Sequence, residues 1–95
     1  MEKPSVCVVM STYNGEKYIR PQIESILNQI DIRLILYIRD DGSKDNTKEI
    51  IEEYISDNVI FDIGENLGAK KSFIEALQEA PVADYYAFSD QDDVW

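Results

Sequence analysis

Short runs of apolar residues alternate along this chain with longer stretches in which apolar residues recur every three or four positions. The first run, residues 5–10 (Ser-Val-Cys-Val-Val-Met), is apolar and rich in β-branched side chains. Such a run predicts a strand that is covered on both faces. Residues 34–38 predict a second buried strand, residues 59–61 a short third strand and residues 85–88 a fourth.

The stretches between the strands have the periodicity of amphipathic helices. We place the regular part of the first helix after Pro21, because proline is tolerated only near the start of a helix. Asn46 and Glu49 predict a capping box for the second helix, and Pro81 ends the third. The predicted apolar stripes are Ile19, Ile23, Ile26, Leu27 and Ile30, then Ile50, Ile51, Tyr54 and Ile55, and finally Phe73, Ile74 and Leu77.

The resulting order, βαβαβαβ, predicts a single domain spanning residues 1–95. Right-handed crossovers between parallel strands put helices on both faces of the sheet, so the expected fold class is α/β with a Rossmann-like parallel sheet. Ligands of such sheets bind at the carboxyl ends of the strands, near the point where strand order reverses. Polar residues are therefore expected at that edge in segments 11–14, 40–43 and 90–93.

Composition excludes several kinds of site. The 95 residues include no histidine and one cysteine, Cys7, which excludes a Ser-His-Asp triad, an imidazole-ligated zinc site and an internal disulfide. The net charge of -10 disfavours binding to nucleic acid or to anionic lipid. No apolar run is long enough to span a membrane and the first residues do not form a signal peptide, so we expect a cytoplasmic protein.

Acidic residues at two strand ends are candidates for chemistry. Asp90 and Asp92 are two residues apart just past a strand, so in extended backbone their carboxylates project to the same side. Converging carboxylates favour a shared cation, and hard oxygen ligands suit Mg²⁺ or Mn²⁺; an acidic surface turn is the alternative interpretation. Asp40 and Asp41 either accept hydrogen bonds from a ribose or base, or only form a turn that leads into a helix.

The loop before the third predicted helix carries positive charge. Its glycines and lysines lack the spacing of a phosphate-binding G-x-x-x-x-G-K-[ST] loop. Lys70 and Lys71 still open a helix, where backbone N–H groups and two cations can meet an anion. A solvated basic face is the alternative.

Five segments together carry a more specific pattern. They are Val-Cys-Val-Val-Met-Ser-Thr-Tyr-Asn at 6–14, Ile-Leu-Asn-Gln at 26–29, Arg-Asp-Asp-Gly-Ser-Lys-Asp at 39–45, Asn-Leu-Gly at 66–68 and Phe-Ser-Asp-Gln-Asp-Asp-Val-Trp at 88–95. In order and spacing they resemble the nucleotide-sugar half of inverting family 2 glycosyltransferases, especially bacterial rhamnosyltransferases. The resemblance implies a partial GT-A fold that binds a UDP-, dTDP- or GDP-linked sugar.

The resemblance also implies roles for individual residues near the nucleoside. Asp41 would accept a hydrogen bond from a ring N–H of the base, and Asp40 would support the same loop or the ribose. The backbone around Ser11, Thr12 and Tyr13 would line the base, and Asn14 would be a further residue of the nucleotide-sugar site.

The remaining implied roles lie near the diphosphate. Asp92 would bind a divalent cation, Mg²⁺ or Mn²⁺, directly, and Asp90 would complete the pair while lying closer to the ribose. The residues near the diphosphate would be Asn66 with Lys70 or Lys71. The residues that shape the donor pocket would be Asp93 and Trp95.

The implied reaction is attack by an acceptor hydroxyl on the anomeric carbon of the nucleotide-sugar, with inversion, in the synthesis of a bacterial-type cell-wall or capsule polysaccharide. The metal would stabilise charge on the departing diphosphate. In this family the general base belongs to the part that follows the Asp-X-Asp motif, so we expect residues 1–95 to bind the donor without transferring the sugar. The acceptor would be a glycan or a lipid-linked molecule, and membrane association would be at most peripheral, on the inner face.

Two other classes remain open from the residues alone. The pattern D-x-D-x-V at 90–94 also fits a haloacid-dehalogenase-like phosphatase fragment, although there the motif normally follows the first strand. A non-catalytic flavodoxin-like binding module would share the fold without the reaction. Binding of nucleotide and Mn²⁺ separates the glycosyltransferase from this module.

Overall fold

The computed structural model describes residues 5–28 and 33–90, with the backbone alone for Ala69 and Asp90. Their elements are β1 (Ser5–Thr12), α1 (Ile19–Leu27), β2 (Arg33–Asp40), α2 (Thr47–Glu52), β3 (Val59–Ile63), α3 (Ala69–Glu79) and β4 (Tyr85–Asp90). This order confirms the predicted βαβαβαβ fold. Across those two ranges, no helix combines the length and the apolar character needed to cross a bilayer.

All four strands are parallel and lie in the order β3-β2-β1-β4. The chain moves outward from β1 to β3 and then returns across the sheet to place β4 on the other side of β1. The connections from β1 to β2 and from β2 to β3 run in one direction across the sheet, and the connection from β3 to β4 runs back. Because all such crossovers are right-handed, the returning connection passes over the other face, so α3 covers the face away from α1 and α2. Strand order therefore reverses between β1 and β4, whose carboxyl ends flank the usual ligand crevice of such sheets.

Two apolar clusters fill the space on either side of the sheet. Because alternate residues of a strand point to opposite faces, Val8 and Met10 pack with α1 and α2, whereas Cys7 and Val9 pack with α3. The predicted stripe of α1 is completely buried at Ile19, Ile23 and Ile26. Its last predicted member, Ile30, lies outside the described residues. Helices on both faces of the sheet are thus confirmed.

Every strand continues past its predicted carboxyl end. The predictions stopped at positions 10, 38, 61 and 88, whereas the strands end at 12, 40, 63 and 90. The added residues of β1 and β2 are polar, yet Ser11 pairs with Arg39 and Thr12 with Asp40 in the ladder. A strand defined by apolar character stops at the first polar residue, but the backbone ladder continues because polar side chains at this edge bond to each other.

The predicted starts of two helices are wrong in detail. Helix α1 begins at Ile19, before Pro21, because a proline in the first turn removes an N–H that has no partner inside the helix. At α2 the Asn46 side chain makes no capping hydrogen bond, so the predicted capping box is absent. Asp45 replaces it: its Oδ1 accepts from the Thr47 backbone N–H at 2.9 Å and from the Thr47 hydroxyl.

The apolar stripe predicted for α3 faces the sheet only in part, since Phe73 packs against the cluster of Cys7 and Val9 but the other two members do not. Ile74 and Leu77 are 48% and 43% exposed, whereas Ser72 and Ala76 are completely buried. Small side chains four residues apart let this helix approach the strands closely, and the larger apolar residues are left at the side. Similarly, α2 ends at Glu52, and Ile55, predicted to lie in its stripe, is exposed.

Candidate functional site

The candidate site lies at the carboxyl edge of the sheet, where the loops after β1, β2 and β3 are joined. The backbone N–H of Asp41 donates to the Thr12 carbonyl at 2.8 Å, and that of Gly64 donates to the Asp40 carbonyl at 2.9 Å. Each bond extends a strand pair by one step into the loops. The three loops therefore start from fixed positions at this edge.

Asp40 holds the loop that follows β2. Its carboxylate is completely buried, and it accepts hydrogen bonds from the Ser43 hydroxyl and, at 2.8 Å, from the Ser43 backbone N–H. The Ser43 hydroxyl oxygen also accepts from the backbone N–H of Asn14 at 2.8 Å. Asp40 therefore fixes the loop after β2 and, through Ser43, its contact with the loop after β1.

Asn14 and its neighbour complete this contact. Asn14 has a φ of 49°, a left-handed conformation that asparagine tolerates better than most residues, and its Oδ1 accepts from the Lys44 backbone N–H at 2.8 Å. The backbone N–H of Gly15 donates to the Thr47 hydroxyl at 2.8 Å. The predicted nucleotide-sugar-binding segment 11–14 is thus tied to the start of α2.

Asp41 joins the loop after β2 to the loop after β3. The residue is only 2% exposed, and its Oδ1 accepts from Arg39 Nη1 and from the Leu67 backbone N–H, each at 2.8 Å. Its Oδ2 accepts from the Gly68 backbone N–H at 3.1 Å. The Asn66 side-chain amide donates to the Asp41 carbonyl at 3.1 Å. The predicted site residues Asp41 and Asn66 are therefore in direct contact.

Arg39 is the functional candidate that the sequence analysis did not single out. Its side chain is buried and forms a salt bridge with Asp41 at 2.8 Å. Nη1 also donates to the Ser72 hydroxyl at 2.7 Å, and Nη2 donates to the Glu65 carbonyl at 3.1 Å. The sequence does contain a signal for this role: Arg39 ends an apolar run and precedes two aspartates. A buried guanidinium requires acceptors close by, and the aspartates supply them.

Gly64 makes room for this guanidinium. A Cβ at position 64 would stand 2.1 Å from Arg39 Nη2, closer than any non-bonded contact allows. Arg39 lies in β2, and Gly64 follows the neighbouring strand β3. A side chain at position 64 would displace the guanidinium, so the buried position of Arg39 requires glycine there.

The other predicted site residues surround this network at the surface. Tyr13 is 37% exposed beside the buried Thr12. Lys70 and Lys71 are exposed in the first turn of α3, as is Asn66 in the preceding loop. The Ser11 hydroxyl donates to the Ser72 hydroxyl, which Arg39 also contacts. The structure therefore brings the residues from segments 11–14, 39–43 and 64–72 to one edge.

The predicted metal pair begins at this same edge. The backbone of Asp90 pairs with Ser11 at the end of β4, next to the point of strand reversal. The Asp90 side chain and residues Asp92, Asp93 and Trp95 lie outside what the structure describes. Among the side chains it does describe, no group of three acidic or cysteine residues is arranged to hold a metal ion. The metal site therefore stays a prediction.

The pKa of one carboxyl beside this site is shifted by its partners. Desolvation alone would raise the pKa of Asp45, but hydrogen bonds from the Thr47 side chain and backbone, and from the Glu16 backbone N–H, outweigh it and lower the pKa. The ionised form of Asp45 is therefore favoured in the fold, where it caps α2 next to the loop that carries Asp40 and Asp41.

Comparison with known proteins gives consistent matches over nearly the whole chain. The family described as "Glycosyl transferase family 2" matches residues 7–95. A curated relative, "dTDP-rhamnosyl transferase RfbG" of Shigella flexneri, is 39% identical over 93 residues, covering 90% of this chain and 32% of the relative. A second, "Putative teichuronic acid biosynthesis glycosyltransferase TuaG" of Bacillus subtilis, is 35% identical and covers 98% of this chain and 38% of its own.

Solved structures agree with this match. The crystal structure of S. aureus TarS 1-349 superimposes with a TM-score of 0.85 at 30% identity, covering 95% of this chain and 28% of that one. The structure of the same protein in complex with UDP gives a TM-score of 0.80 at 29% identity, again over 95% of this chain and 28% of that one. The chain spans about a third of the length of the curated relatives given above.

Proposed function

Because the chain belongs to glycosyl transferase family 2, we propose that residues 1–95 form the nucleotide-sugar-binding part of a glycosyltransferase. One observation of the structure carries the proposal: the loops after three parallel strands are bonded together around Asp40 and Asp41, at the carboxyl edge of the sheet that also contains the point of strand reversal. That point is where sheets of this kind bind nucleotides. Family membership sets aside the phosphatase and the flavodoxin-like module.

The donor would be a nucleotide-diphosphate sugar. The UDP complex of TarS and the name of the dTDP-rhamnosyl transferase support this class of ligand. Three hydrogen bonds reach the Asp41 carboxylate, two at Oδ1 and one at Oδ2. A carboxylate offers about four acceptor positions, so Oδ2 can take one more donor, such as a ring N–H of the base. Tyr13 and the neighbouring backbone of Ser11 and Thr12 would line the base.

The diphosphate would lie between the start of α3 and the end of β4. Lys70 and Lys71 are exposed in the first turn of α3, where backbone N–H groups also favour an anion. Asp90 and Asp92 would hold Mg²⁺ or Mn²⁺, which would neutralise charge on the departing diphosphate. A cation is the simplest way for a chain with a net charge of -10 to hold a diphosphate.

The whole protein would transfer the sugar with inversion to a hydroxyl of a glycan or lipid-linked acceptor in polysaccharide synthesis. The general base and the acceptor site would lie outside residues 1–95, since the relatives are about three times as long. The reaction would take place in the cytoplasm, with at most peripheral attachment to the inner face of the membrane.

Titration of the chain with UDP, dTDP and GDP, each with and without Mn²⁺, tests the donor-binding role. Calorimetry gives the affinity, and amide NMR shifts show where the ligand binds. We expect Asp92→Asn to abolish the gain in affinity that Mn²⁺ provides. Asp41→Asn should reduce the preference among the three bases, because an amide can present an N–H where the carboxylate only accepts.

Asp57→Asn is the matched control, because Asp57 is an exposed acid in the turn before β3, away from the carboxyl edge. It should leave both the Mn²⁺ effect and the base preference unchanged. Failure of all three nucleotides to bind, with or without Mn²⁺, would overturn the donor-binding role. Equal effects of Asp57→Asn and Asp92→Asn would overturn the proposed metal ligand alone.

A further inference from the structure

We propose that Arg39 is a positioning residue for the nucleotide base, and this inference rests on the donor-binding function proposed above. Its guanidinium is the point at which the loop after β2, the loop after β3 and helix α3 meet. Three partners from different segments accept its hydrogen bonds: the Asp41 carboxylate after β2, the Glu65 carbonyl after β3 and the Ser72 hydroxyl in α3. Arg39 thereby sets the relative positions of the groups proposed to contact the base.

The Asp41 carboxylate depends on this contact for its orientation. Arg39 Nη1 and the Leu67 N–H both bind Oδ1, and the Gly68 N–H binds Oδ2 from the neighbouring peptide. These donors come from two sides, so the carboxylate plane has little freedom to rotate. The acceptor position that remains on Oδ2 therefore has a fixed direction, which is what selection among bases with different edges requires.

Arg39 also reaches the strand that carries the base-lining segment. Ser72 accepts hydrogen bonds from both Arg39 Nη1 and the Ser11 hydroxyl, so a single oxygen links β2 to β1 through α3. Ser72 is completely buried, which makes both bonds costly to lose. A change at Arg39 is thus transmitted to Ser11 as well as to Asp41.

The requirement for Gly64 offers a way to disturb Arg39 without changing it. In Gly64→Ala the new Cβ would stand 2.1 Å from Nη2, so the guanidinium must leave its place. The backbone of residue 64 does not have a positive φ, so alanine adds no strain of its own. Gly64→Ala should therefore reproduce the effect of Arg39→Met on binding.

The test compares the affinities of Arg39→Met, Arg39→Lys and Gly64→Ala for UDP, dTDP and GDP with Mn²⁺ by calorimetry. We expect Arg39→Met and Gly64→Ala to weaken the preferred nucleotide roughly tenfold, about the effect of one or two misplaced hydrogen bonds. The ratios among the three bases should fall towards unity. Arg39→Lys should give an intermediate loss, because an ammonium group cannot span the three partners.

The affinity for pyrophosphate with Mn²⁺ separates a positioning role from a purely structural one, because a purely structural role of Arg39 would weaken pyrophosphate binding as well. Pyrophosphate lacks a base, so its affinity should stay within about twofold of wild type in every variant if Arg39 acts on the base pocket alone. The matched control is Arg20→Met, the same substitution at an exposed arginine that pairs with Glu53 on the helical side. It should leave all affinities unchanged.

Coupling between the two positions gives a further check. The double variant Arg39→Met, Gly64→Ala should bind no more weakly than either single variant, because both remove the same guanidinium from the same place. Additive losses would overturn the inference. Amide NMR spectra establish that each variant is folded at the temperature of the titration.

Two results separate this inference from the function on which it rests. If wild type binds a nucleotide and folded Arg39→Met binds it with the same affinity and base ratios, the positioning role is wrong and donor binding stands. If wild type binds none of the three nucleotides, donor binding and the positioning role fall together. If Arg39→Met unfolds, the affinities and base ratios of Arg39→Lys and Gly64→Ala test the positioning role in its place. If all three variants unfold, Arg39 contributes to stability alone and the positioning role is wrong.

Discussion

Replacing Asp41 by alanine should destabilise this chain severely. The substitution leaves the Arg39 guanidinium, whose side chain is 6% exposed, without its counter-ion. It also removes the acceptor for the backbone N–H groups of Leu67 and Gly68. The guanidinium lies where water has limited access, so the loss is much larger than that of a surface ion pair.

The expected cost follows from the burial of the pair. Removing one member of a buried ion pair costs about 3–5 kcal/mol, because the remaining charge is uncompensated. A small domain has a total stability of about 5–15 kcal/mol, so a large share would be lost. With a urea m value of about 2 kcal/mol per M, a loss of about 4 kcal/mol lowers the midpoint by roughly 2 M.

Urea denaturation followed by far-UV circular dichroism measures this shift. Glu53→Ala is the control, because it breaks a salt bridge of 2.9 Å between side chains that are 45% and 56% exposed. Solvent screens that pair, so its midpoint should not change measurably. The double variant Arg39→Met, Asp41→Leu should be more stable than Asp41→Ala, since no charge is left buried. Equal midpoints for Asp41→Ala and Glu53→Ala would refute the burial argument.

Three further outcomes are expected. Gly42→Ala should lower stability by about 1–2 kcal/mol in urea titrations, because Gly42 has a φ of 78° and its Cβ would lie 3.2 Å from a backbone nitrogen of the loop after β3. Gln22→Met should change stability by less than about 1 kcal/mol, because the loss of a 2.7 Å bond to Ser89 is offset by removal of a buried Oε1 that has no partner among residues 5–28 and 33–90. Gln22→Ala should cost about 2 kcal/mol or more, because it opens a cavity. The Asp45 carboxyl should titrate below its ordinary pKa in an NMR titration, and an unshifted pKa would contradict this prediction. The stability that ionised Asp45 contributes is therefore full above its pKa in the unfolded chain and is lost as pH falls through its pKa in the folded chain. Asp45→Asn should remove that part of the loss of stability in acid.

Apolar patterns predicted the centre of the fold well, because the centre is where burial alone decides the structure. The strand interiors around Val8 and Ile38 and the buried stripe of α1 follow directly from them. The patterns failed at the carboxyl edge, where Arg39 and Asp40 extend β2 although neither is apolar. These residues are buried because their partners lie on other loops, and such pairing is not visible in a local window of sequence.

The face of α3 was mispredicted in part for a related reason: Phe73 packs against the core, but Ile74 and Leu77 are exposed. A periodic set of large apolar residues normally marks the buried side of a helix. Here Ser72 and Ala76 face the sheet, because a close approach of helix to strand favours small side chains, and Ser72 supplies a hydroxyl to Arg39. Asp40 and Asp41 could be proposed as candidates from the sequence because acids at strand ends are chemically conspicuous, whereas Arg39 beside them was not.

The strand order β3-β2-β1-β4 also determines when the site can form during synthesis of the chain. Strand β1 is made first, and its edge on one side is covered by β2 soon afterwards. Its other edge waits for β4: the backbone N–H of Ser5 donates to Asp84, 79 residues later. Closing so long a loop is slow compared with pairing neighbours, so β4 and the edge beside Asp90 assemble after the other three strands. Until then one edge of β1 is uncovered and the proposed nucleotide site is incomplete, so any ligand of this site can bind only after β4 has joined the sheet.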